Sequence, residues 1–208
     1  MFDPSRILIL APHTDDGELG CGGTIAKHVA NGNEVIYIAF STCSQALPSH
    51  LPVDTLVTEC KAATKVLGIT NNIFFDFTVR RLLFHRQEIL EELIELNQQL
   101  QPQTVFIPAE NDIHQDHQVI FAEGLRAFKN CNVLGYELPW NNFRFKPDYF
   151  EKITEQNLQA KLTALGEYKS QSHRKYMNRE FIRSLAIVRG MQADAPLAEA
   201  YEIYRLIN

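Results

Sequence analysis

The sequence predicts an α/β domain in which helices pack on a mostly parallel sheet. Short apolar runs alternate with helical stretches of about 10–15 residues along most of the chain, which is typical of βαβ units. The first run, Ile7-Leu8-Ile9-Leu10, contains no polar residue, and this indicates a strand that is buried on both faces. Turns rich in glycine, proline and asparagine separate the elements.

The elements follow in order along the chain. Further apolar runs predict five strands in all, at 6–11, 35–41, 73–77, 104–107 and 133–138. Helical patterns fill the intervals, at 21–30, 53–67, 86–100 and 117–129. The helix at 86–100 has the clearest pattern, because its apolar residues recur at a spacing of three and four and Pro102 follows it.

The pattern changes after Pro139. We expect an extended segment at 145–153, helices at 154–168 and 180–191, and a mixed apolar segment at 196–208. No linker separates this part from the rest, so the C-terminal part should pack on the same domain, 1–208. The predicted architecture is a Rossmann-like three-layer sandwich.

Composition excludes several classes of protein. The net charge of −5 argues against nucleic acid as a partner, because phosphate contacts need a basic face. No apolar run approaches the roughly 18 residues of a membrane span. The start Met-Phe-Asp-Pro shows no signal peptide, and the four cysteines show no C-x-x-C pair. We therefore expect a cytoplasmic protein with reduced thiols.

The most informative residues follow the first strand. His13, Asp15 and Asp16 are crowded together where a strand should end and a helix begin, which in α/β sheets is where ligands bind. Two adjacent carboxylates repel each other, and a divalent metal is the simplest reason to hold both. His13 and Asp16 can reach one ion, which leaves Asp15 free to act as a base. The alternative is that one aspartate caps the helix, although a cap does not explain His13.

A second polar cluster follows the fourth strand. Asp112, His114, Asp116 and His117 again stand at a carboxyl end, where they can complete a metal site. A solvated loop before a helix is the alternative. Two such clusters at the ends of two strands favour the metal site.

Other motifs are weaker. The glycines after the first strand have the order G-x-x-G-x-G-G rather than G-x-G-x-x-G, and no acidic residue ends the second strand, which argues against a dinucleotide site. No G-x-S-x-G elbow is present. Candidate substrate-binding residues follow strands three and five: Arg80, Glu137, Trp140 and Asn142. A basic surface patch and ordinary turn chemistry are the alternatives for them.

The two clusters together resemble the motifs of the PIG-L/LmbE-like metal-dependent deacetylases. The first motif is Ala-Pro-His-Thr-Asp-Asp-Gly-Glu-Leu-Gly-Cys-Gly-Gly-Thr at 11–24, and the second is Asp-Ile-His-Gln-Asp-His at 112–117. The closing Arg189-Gly190 and Ala198-Glu199-Ala200 also fit. Thr14 departs from the family, which usually has proline there. The Asp-Asp-x-Glu form is similar to the branch that contains the bacillithiol-pathway enzyme.

The resemblance implies a role for each matched residue. His13, Asp16 and His117 would bind Zn²⁺, Asp15 would be the general base, and His114 would stabilise the oxyanion or protonate the leaving amine. Asp116 would orient a histidine. The implied substrates are N-acetylated amino sugars of the N-acetylglucosamine type, and the implied assembly is a homo-oligomer. Two alternatives remain: a metal-dependent amidase or hydratase on the same scaffold, and a non-catalytic sugar-binding protein with a structural metal.

Overall fold

The computed structural model describes residues 5–207. The Met-Phe-Asp-Pro start at residues 1–4 and residue 208, the last of the mixed apolar segment predicted at 196–208, lie outside the described residues. Seven strands form one sheet: β1 (Arg6–Ala11), β2 (Glu34–Ala39), β3 (Asn71–Phe74), β4 (Thr104–Pro108), β5 (Asn132–Tyr136), β6 (Tyr149–Lys152) and β7 (Ala198–Arg205). Six α-helices accompany it within the described residues: α1 (Asp16–Ala30), α2 (Thr55–Val66), α3 (Arg86–Leu100), α4 (Gln115–Ala127), α5 (Glu155–Leu165) and α6 (Arg179–Gln192).

The sheet is parallel over its first five strands and antiparallel at one end. The strand order is β3-β2-β1-β4-β5-β7-β6. Strands β1 to β5 pair in parallel, and β7 runs antiparallel to both β5 and β6. The C-terminal part therefore extends the same sheet, and the predicted fold class, a mostly parallel α/β fold, is confirmed.

Alternation along β1 divides the core into two layers. Ile7 and Ile9 face a cluster that contains residues of α1, α2, α5 and α6, whereas Leu8 and Leu10 face residues of α3 and α4. Successive strand residues point to opposite faces, and both faces of this strand are covered. The three-layer sandwich explains why the first apolar run has no polar member. No helix within residues 5–207 is long and apolar enough to cross a membrane.

The structure corrects the start of the first helix. It begins at Asp16 rather than at the predicted residue 21, so it also contains Gly17 and Gly20, which precede the predicted start. A Cβ at Gly17 would clash with Tyr37, and a Cβ at Gly20 would clash with Tyr136. The glycines therefore allow the helix to lie close against the aromatic side chains of the sheet, which outweighs their poor helix propensity.

Candidate active site and metal centre

The two polar clusters meet at one edge of the sheet. The first follows β1, and the second spans the start of α4, which itself follows β4. Because β1 and β4 are adjacent and parallel, their carboxyl ends lie side by side. His13, Asp15 and Asp16 therefore face His114 and His117 across a shared pocket.

Three side-chain atoms form a compact triangle in this pocket. Nδ1 of His13 lies 3.0 Å from Oδ2 of Asp16, and Nε2 of His117 lies 3.2 Å from the same oxygen. The two ring nitrogens are 3.3 Å apart. A tetrahedral zinc ion with bonds of about 2.0 Å holds its ligand atoms about 3.3 Å from one another. The triangle therefore fits three vertices of a zinc coordination sphere and leaves the fourth open.

A second carboxylate holds the outer nitrogen of each of these histidines. Nε2 of His13 lies 3.0 Å from Oδ2 of Asp116, and Nδ1 of His117 lies 2.7 Å from Oδ2 of Asp112. A histidine that donates its outer N–H to a carboxylate presents an unprotonated inner nitrogen, as a metal ligand must. When each ring is neutral, as it must be to bind a metal, these hydrogen bonds select the tautomer that suits the metal.

His114 has the opposite arrangement. Its Nδ1 accepts the backbone N–H of Asp116 at 3.2 Å, which caps α4 and leaves the proton of the neutral ring on Nε2. The ring nitrogens of His13, His114 and His117 lie within 4.8 Å of one another and could also hold a metal ion. The hydrogen bonding favours Asp16 over His114 as the third ligand, because Nε2 of His114 carries a proton.

The Asp16 carboxylate and the rings of His13 and His117 shift one another's pKa values. Burial opposes ionisation of His117 and His13, but the Asp16 carboxylate raises the pKa of His117 to about 10 and that of His13 to about 9. Burial also opposes ionisation of Asp16, yet the two histidines hold its pKa well below the ordinary value. His114 differs, because burial and then the charges of His117 and His13 lower its pKa to about 4. It is therefore neutral at physiological pH.

The side chain of Asp15 does not cap α1. The residue occupies the N-cap position of α1, but its side chain makes no capping hydrogen bond. Its carboxyl group lines the pocket instead. Burial, and then the neighbouring Asp16 carboxylate, raise the pKa of Asp15 to about 7. Such a group can take up and release a proton near neutral pH.

The model of one protein family matches more than half of the chain. The matched residues are 8–128, and the family is described as "PIG-L: GlcNAc-PI de-N-acetylase". The match includes both polar clusters. This chain belongs to the PIG-L family.

Two sequence relatives and one solved structure are similar to this chain. YaiS of Escherichia coli K12, described as an uncharacterized deacetylase, is 29% identical over 170 residues, which cover 79% of this chain and 90% of YaiS. The diacetylchitobiose deacetylase of Thermococcus kodakarensis is 26% identical over 192 residues, which cover 81% of this chain and 71% of that protein. The structure of GalB, the 4-carboxy-2-hydroxymuconate hydratase of Pseudomonas putida KT2440, has a TM-score of 0.81 at 20% identity, with 98% of each chain covered.

The pocket of this PIG-L protein has a volume of about 290 Å³. Two of the predicted substrate residues line it. Arg80 is exposed at the pocket, and Trp140 is half-buried there with its ring stacked on Tyr176, at a centroid distance of 4.6 Å and an angle of 16°. Further wall residues come from the segment after α5, namely Gln171, Arg174 and Tyr176.

The other two predicted substrate residues lie elsewhere. The buried carboxylate of Glu137 forms an ion pair with Arg189 and lines a separate small cavity. Asn142 is also buried, and its Oδ1 accepts the backbone N–H of Leu138 at 2.7 Å. Neither belongs to the described wall of the pocket that contains His13 and Asp15. The structure therefore does not bring these two side chains to the pocket wall, because Glu137 pairs with Arg189 and Asn142 bonds to the backbone of Leu138.

Asp116 links His13 to the loop that carries Arg80. Besides His13, its carboxylate accepts the backbone N–H groups of Arg80 at 2.6 Å and of Leu82 at 3.3 Å. Arg80 has a positive φ of 64°, which is unusual for a residue with a side chain. The hydrogen bonds to Asp116 hold the loop in this conformation, in which Arg80 lines the pocket.

Sequence reasoning missed two functional features. Asp112 was part of the second cluster but received no role, although its spacing of five from His117 was a usable signal at a helix start. The wall formed by Gln171, Arg174 and Tyr176 had no signal, because nothing in the local sequence shows that this segment folds back over the first motif.

Proposed function

We propose that this protein is a zinc-dependent N-deacetylase that removes the acetyl group from an N-acetylated amino sugar. One observation supports this most strongly. A triangle of ligand atoms from His13, Asp16 and His117 lies in the same pocket as Asp15, a carboxyl group without a structural partner in the helix cap. The deacetylase descriptions of the family and of two sequence relatives agree with this chemistry.

The residues present fit a catalytic metal site. His13, Asp16 and His117 would hold the ion, and Asp116 and Asp112 would orient the two histidines. A bound zinc ion acts as a Lewis acid and lowers the pKa of water to about 7. Histidine and carboxylate ligands also suit other divalent ions, so zinc is the first ion to test.

The reaction divides between two side chains. Asp15 takes a proton from the attacking water as the water oxygen bonds to the acetyl carbon. Nε2–H of His114 donates a hydrogen bond to the carbonyl oxygen as negative charge develops there, an interaction typically worth about 3–4 kcal/mol in such sites. The C–N bond then breaks, the amine nitrogen receives the proton that Asp15 carries, and the products are acetate and a free amine.

The pocket suits a sugar with a charged substituent. Its volume of about 290 Å³ is close to the lower end of ordinary ligand sites. The half-buried ring of Trp140 offers an apolar face to a sugar, whereas Arg80 and Arg174 offer planar donors to a phosphate or carboxylate. The proposed substrate is therefore an N-acetylglucosamine-type conjugate that carries an anionic group. A cytoplasmic location and a homo-oligomeric state remain predictions.

A product assay tests the proposal. Zinc-loaded protein is incubated with a panel of N-acetylglucosamine conjugates, and acetate and free amine are both quantified. Equal amounts of the two products are expected, and a chelator or the substitution His117→Ala should abolish their release. Absence of free amine across charged and neutral conjugates would contradict deacetylation. Full activity of metal-free protein would contradict the metal requirement but not deacetylation.

The second candidate is a metal-dependent hydratase. The structural similarity to GalB favours it, because the same fold carries a hydratase in that protein. Addition of water to a carbon–carbon double bond releases no acetate, so the product assay separates the two. A metal-dependent amidase would release a carboxylate other than acetate. A non-catalytic sugar-binding protein would bind N-acetyl sugars without turnover.

A further inference from the structure

Glu18 is the acidic residue of the Asp-Asp-x-Glu motif that the proposed reaction does not use. It lies in the first turn of α1 and is completely buried. Two tyrosine hydroxyls reach its carboxyl group, one from Tyr37 on β2 and one from Tyr168 just after α5. A buried carboxyl group is costly unless it is hydrogen-bonded, so its presence directly beside the loop between β1 and α1, residues 13–15, needs an explanation.

The same hydroxyls surround one backbone carbonyl of that loop. Oη of Tyr37 lies 2.9 Å from the carbonyl oxygen of Thr14 and also accepts the N–H of Gly17 at 3.0 Å. Oη of Tyr168 lies 2.5 Å from the Thr14 oxygen and 2.9 Å from Oε1 of Glu18. Both tyrosines are fully buried. The carboxyl group and the two hydroxyls thus form a closed hydrogen-bonded cluster around the peptide that precedes Asp15.

The position of this carbonyl determines the position of Asp15. The carbonyl of Thr14 and the N–H of Asp15 belong to one planar peptide group. Fixing the carbonyl therefore fixes the direction in which the chain enters Asp15, whose own side chain makes no capping bond. We propose that Glu18, Tyr37 and Tyr168 are positioning residues that hold Asp15 in the geometry needed for proton transfer. This inference rests on the proposed deacetylation.

Tyr168 also joins two parts of the site. The residues that follow it, Gln171, Arg174 and Tyr176, line the pocket. Its hydroxyl therefore connects the wall segment that follows α5 to Thr14 in the first motif through a hydrogen bond. The cluster thus lets a segment more than 150 residues away in sequence from Thr14 support the proposed base.

Single tyrosine substitutions test the role of the cluster. Tyr168→Phe and Tyr37→Phe remove one hydroxyl each, and Tyr136→Phe is the matched control. Tyr136 is also fully buried, and its hydroxyl donates to a backbone carbonyl, that of Leu10, at 3.0 Å. We expect kcat to fall at least tenfold in the first two variants, with KM changed less than twofold and the metal content unchanged. The control should keep its kcat.

A double-mutant cycle separates positioning from general destabilisation. If the hydroxyls act through Asp15, adding Tyr168→Phe to Asp15→Asn should cause no further loss of kcat. Glu18→Gln keeps a hydrogen-bond acceptor and a donor in the cluster and should lose less activity than Glu18→Leu. Comparison of these two variants also tests the cluster if a tyrosine variant does not fold. The inference would be overturned if kcat is unchanged in the tyrosine variants. It would also be overturned if Tyr168→Phe lowers kcat as much in the Asp15→Asn background as in the unmodified protein. Neither result affects the deacetylase activity of the unmodified protein. An unmodified protein that releases no acetate would overturn the proposed function together with this inference.

Discussion

His13 and Asp116 are joined by a direct hydrogen bond, although they stand 103 positions apart in the sequence. Nε2 of the histidine lies 3.0 Å from Oδ2 of the aspartate. The same carboxylate accepts backbone N–H groups from Arg80 and Leu82. A candidate metal ligand and the loop at the substrate pocket therefore depend on one buried side chain.

This relationship predicts different effects for the two carboxylates behind the metal ligands. Asp112→Ala and Asp116→Ala should each weaken zinc affinity about 10–100-fold, because each leaves one histidine without its partner. Only Asp116→Ala should also raise KM when zinc is saturating, because of these two aspartates only Asp116 accepts the N–H groups of Arg80 and Leu82. Zinc titrations and steady-state kinetics at saturating zinc provide the two measurements. Equal KM values for the two variants would show that the loop does not need Asp116.

The role of His114 can be separated from that of a metal ligand. His114→Ala should lower kcat about 10²–10³-fold with little change in KM, because its hydrogen bond strengthens as the oxyanion forms. Zinc stoichiometry should remain at one ion per chain. Loss of the metal from this variant would instead identify the three histidines as the ligand set. Elemental analysis of the purified variant decides between the two.

Substitution of the proposed base should affect proton transfer alone. We expect Asp15→Asn to keep its metal and to lose about 10²–10⁴-fold in kcat. Asp54→Asn is a suitable control, because Asp54 occupies the N-cap of α2 and likewise makes no capping hydrogen bond. Near-normal turnover by Asp15→Asn would show that Asp15 is only a helix-terminal residue.

Metal affinity should increase with pH. The pKa values of His13 and His117 are raised to about 9 and about 10 by Asp16 despite burial, so both rings carry protons near neutrality that a metal ion must displace. Each displaced proton makes the affinity rise roughly tenfold per pH unit up to these values. Competition with a chromophoric chelator between pH 6 and 8.5 measures the slope. A flat profile would show that the metal does not bind through these rings.

The same pKa values predict the stability of metal-free protein. Both histidines have higher pKa values in the folded protein than the ordinary value of 6.5. Their protonation therefore stabilises the fold fully below about pH 6.5, and this contribution is lost as the pH rises through 9 to 10. Denaturant unfolding of chelator-treated protein at several pH values should show the decline, and His117→Ala should reduce it.

Local sequence patterns predict the fold class and both polar clusters, because the strands, the helices and the clusters are each formed by short, continuous segments. Strand β7 could not be predicted in this way. Its sequence alternates small, acidic and aromatic residues, and its acidic residues Glu199 and Glu202 are buried, which is unusual for a strand. Glu199 is accommodated by Lys161 and by backbone N–H groups of α1, which are distant in sequence. Such pairing depends on tertiary contacts that no local pattern reveals.

The substrate residues show the same limit. Arg80 and Trp140 follow strands at the pocket edge and were found by that rule, but Glu137 and Asn142 follow the same strand as Trp140 and point elsewhere. The rule locates a segment at the sheet edge and does not determine the direction of each side chain. That direction depends on partners such as Arg189, which α6 brings to Glu137.

Arg80 should determine the preference for charged conjugates. It is exposed at the pocket, and the backbone conformation that directs it is held by Asp116. Arg80→Ala should weaken the binding of conjugates with a phosphate or carboxylate by about 1.5–3 kcal/mol, the usual range for a hydrogen bond to a charged group. Neutral N-acetyl sugars should be nearly unaffected. Lys129→Ala is the control for net charge, because Lys129 is exposed between α4 and β5, at the opposite edge of the sheet. Comparison of kcat/KM for a charged and a neutral conjugate in both variants measures the effect. An equal loss for both substrates in Arg80→Ala would show that Arg80 supports the pocket wall instead of binding the anionic group.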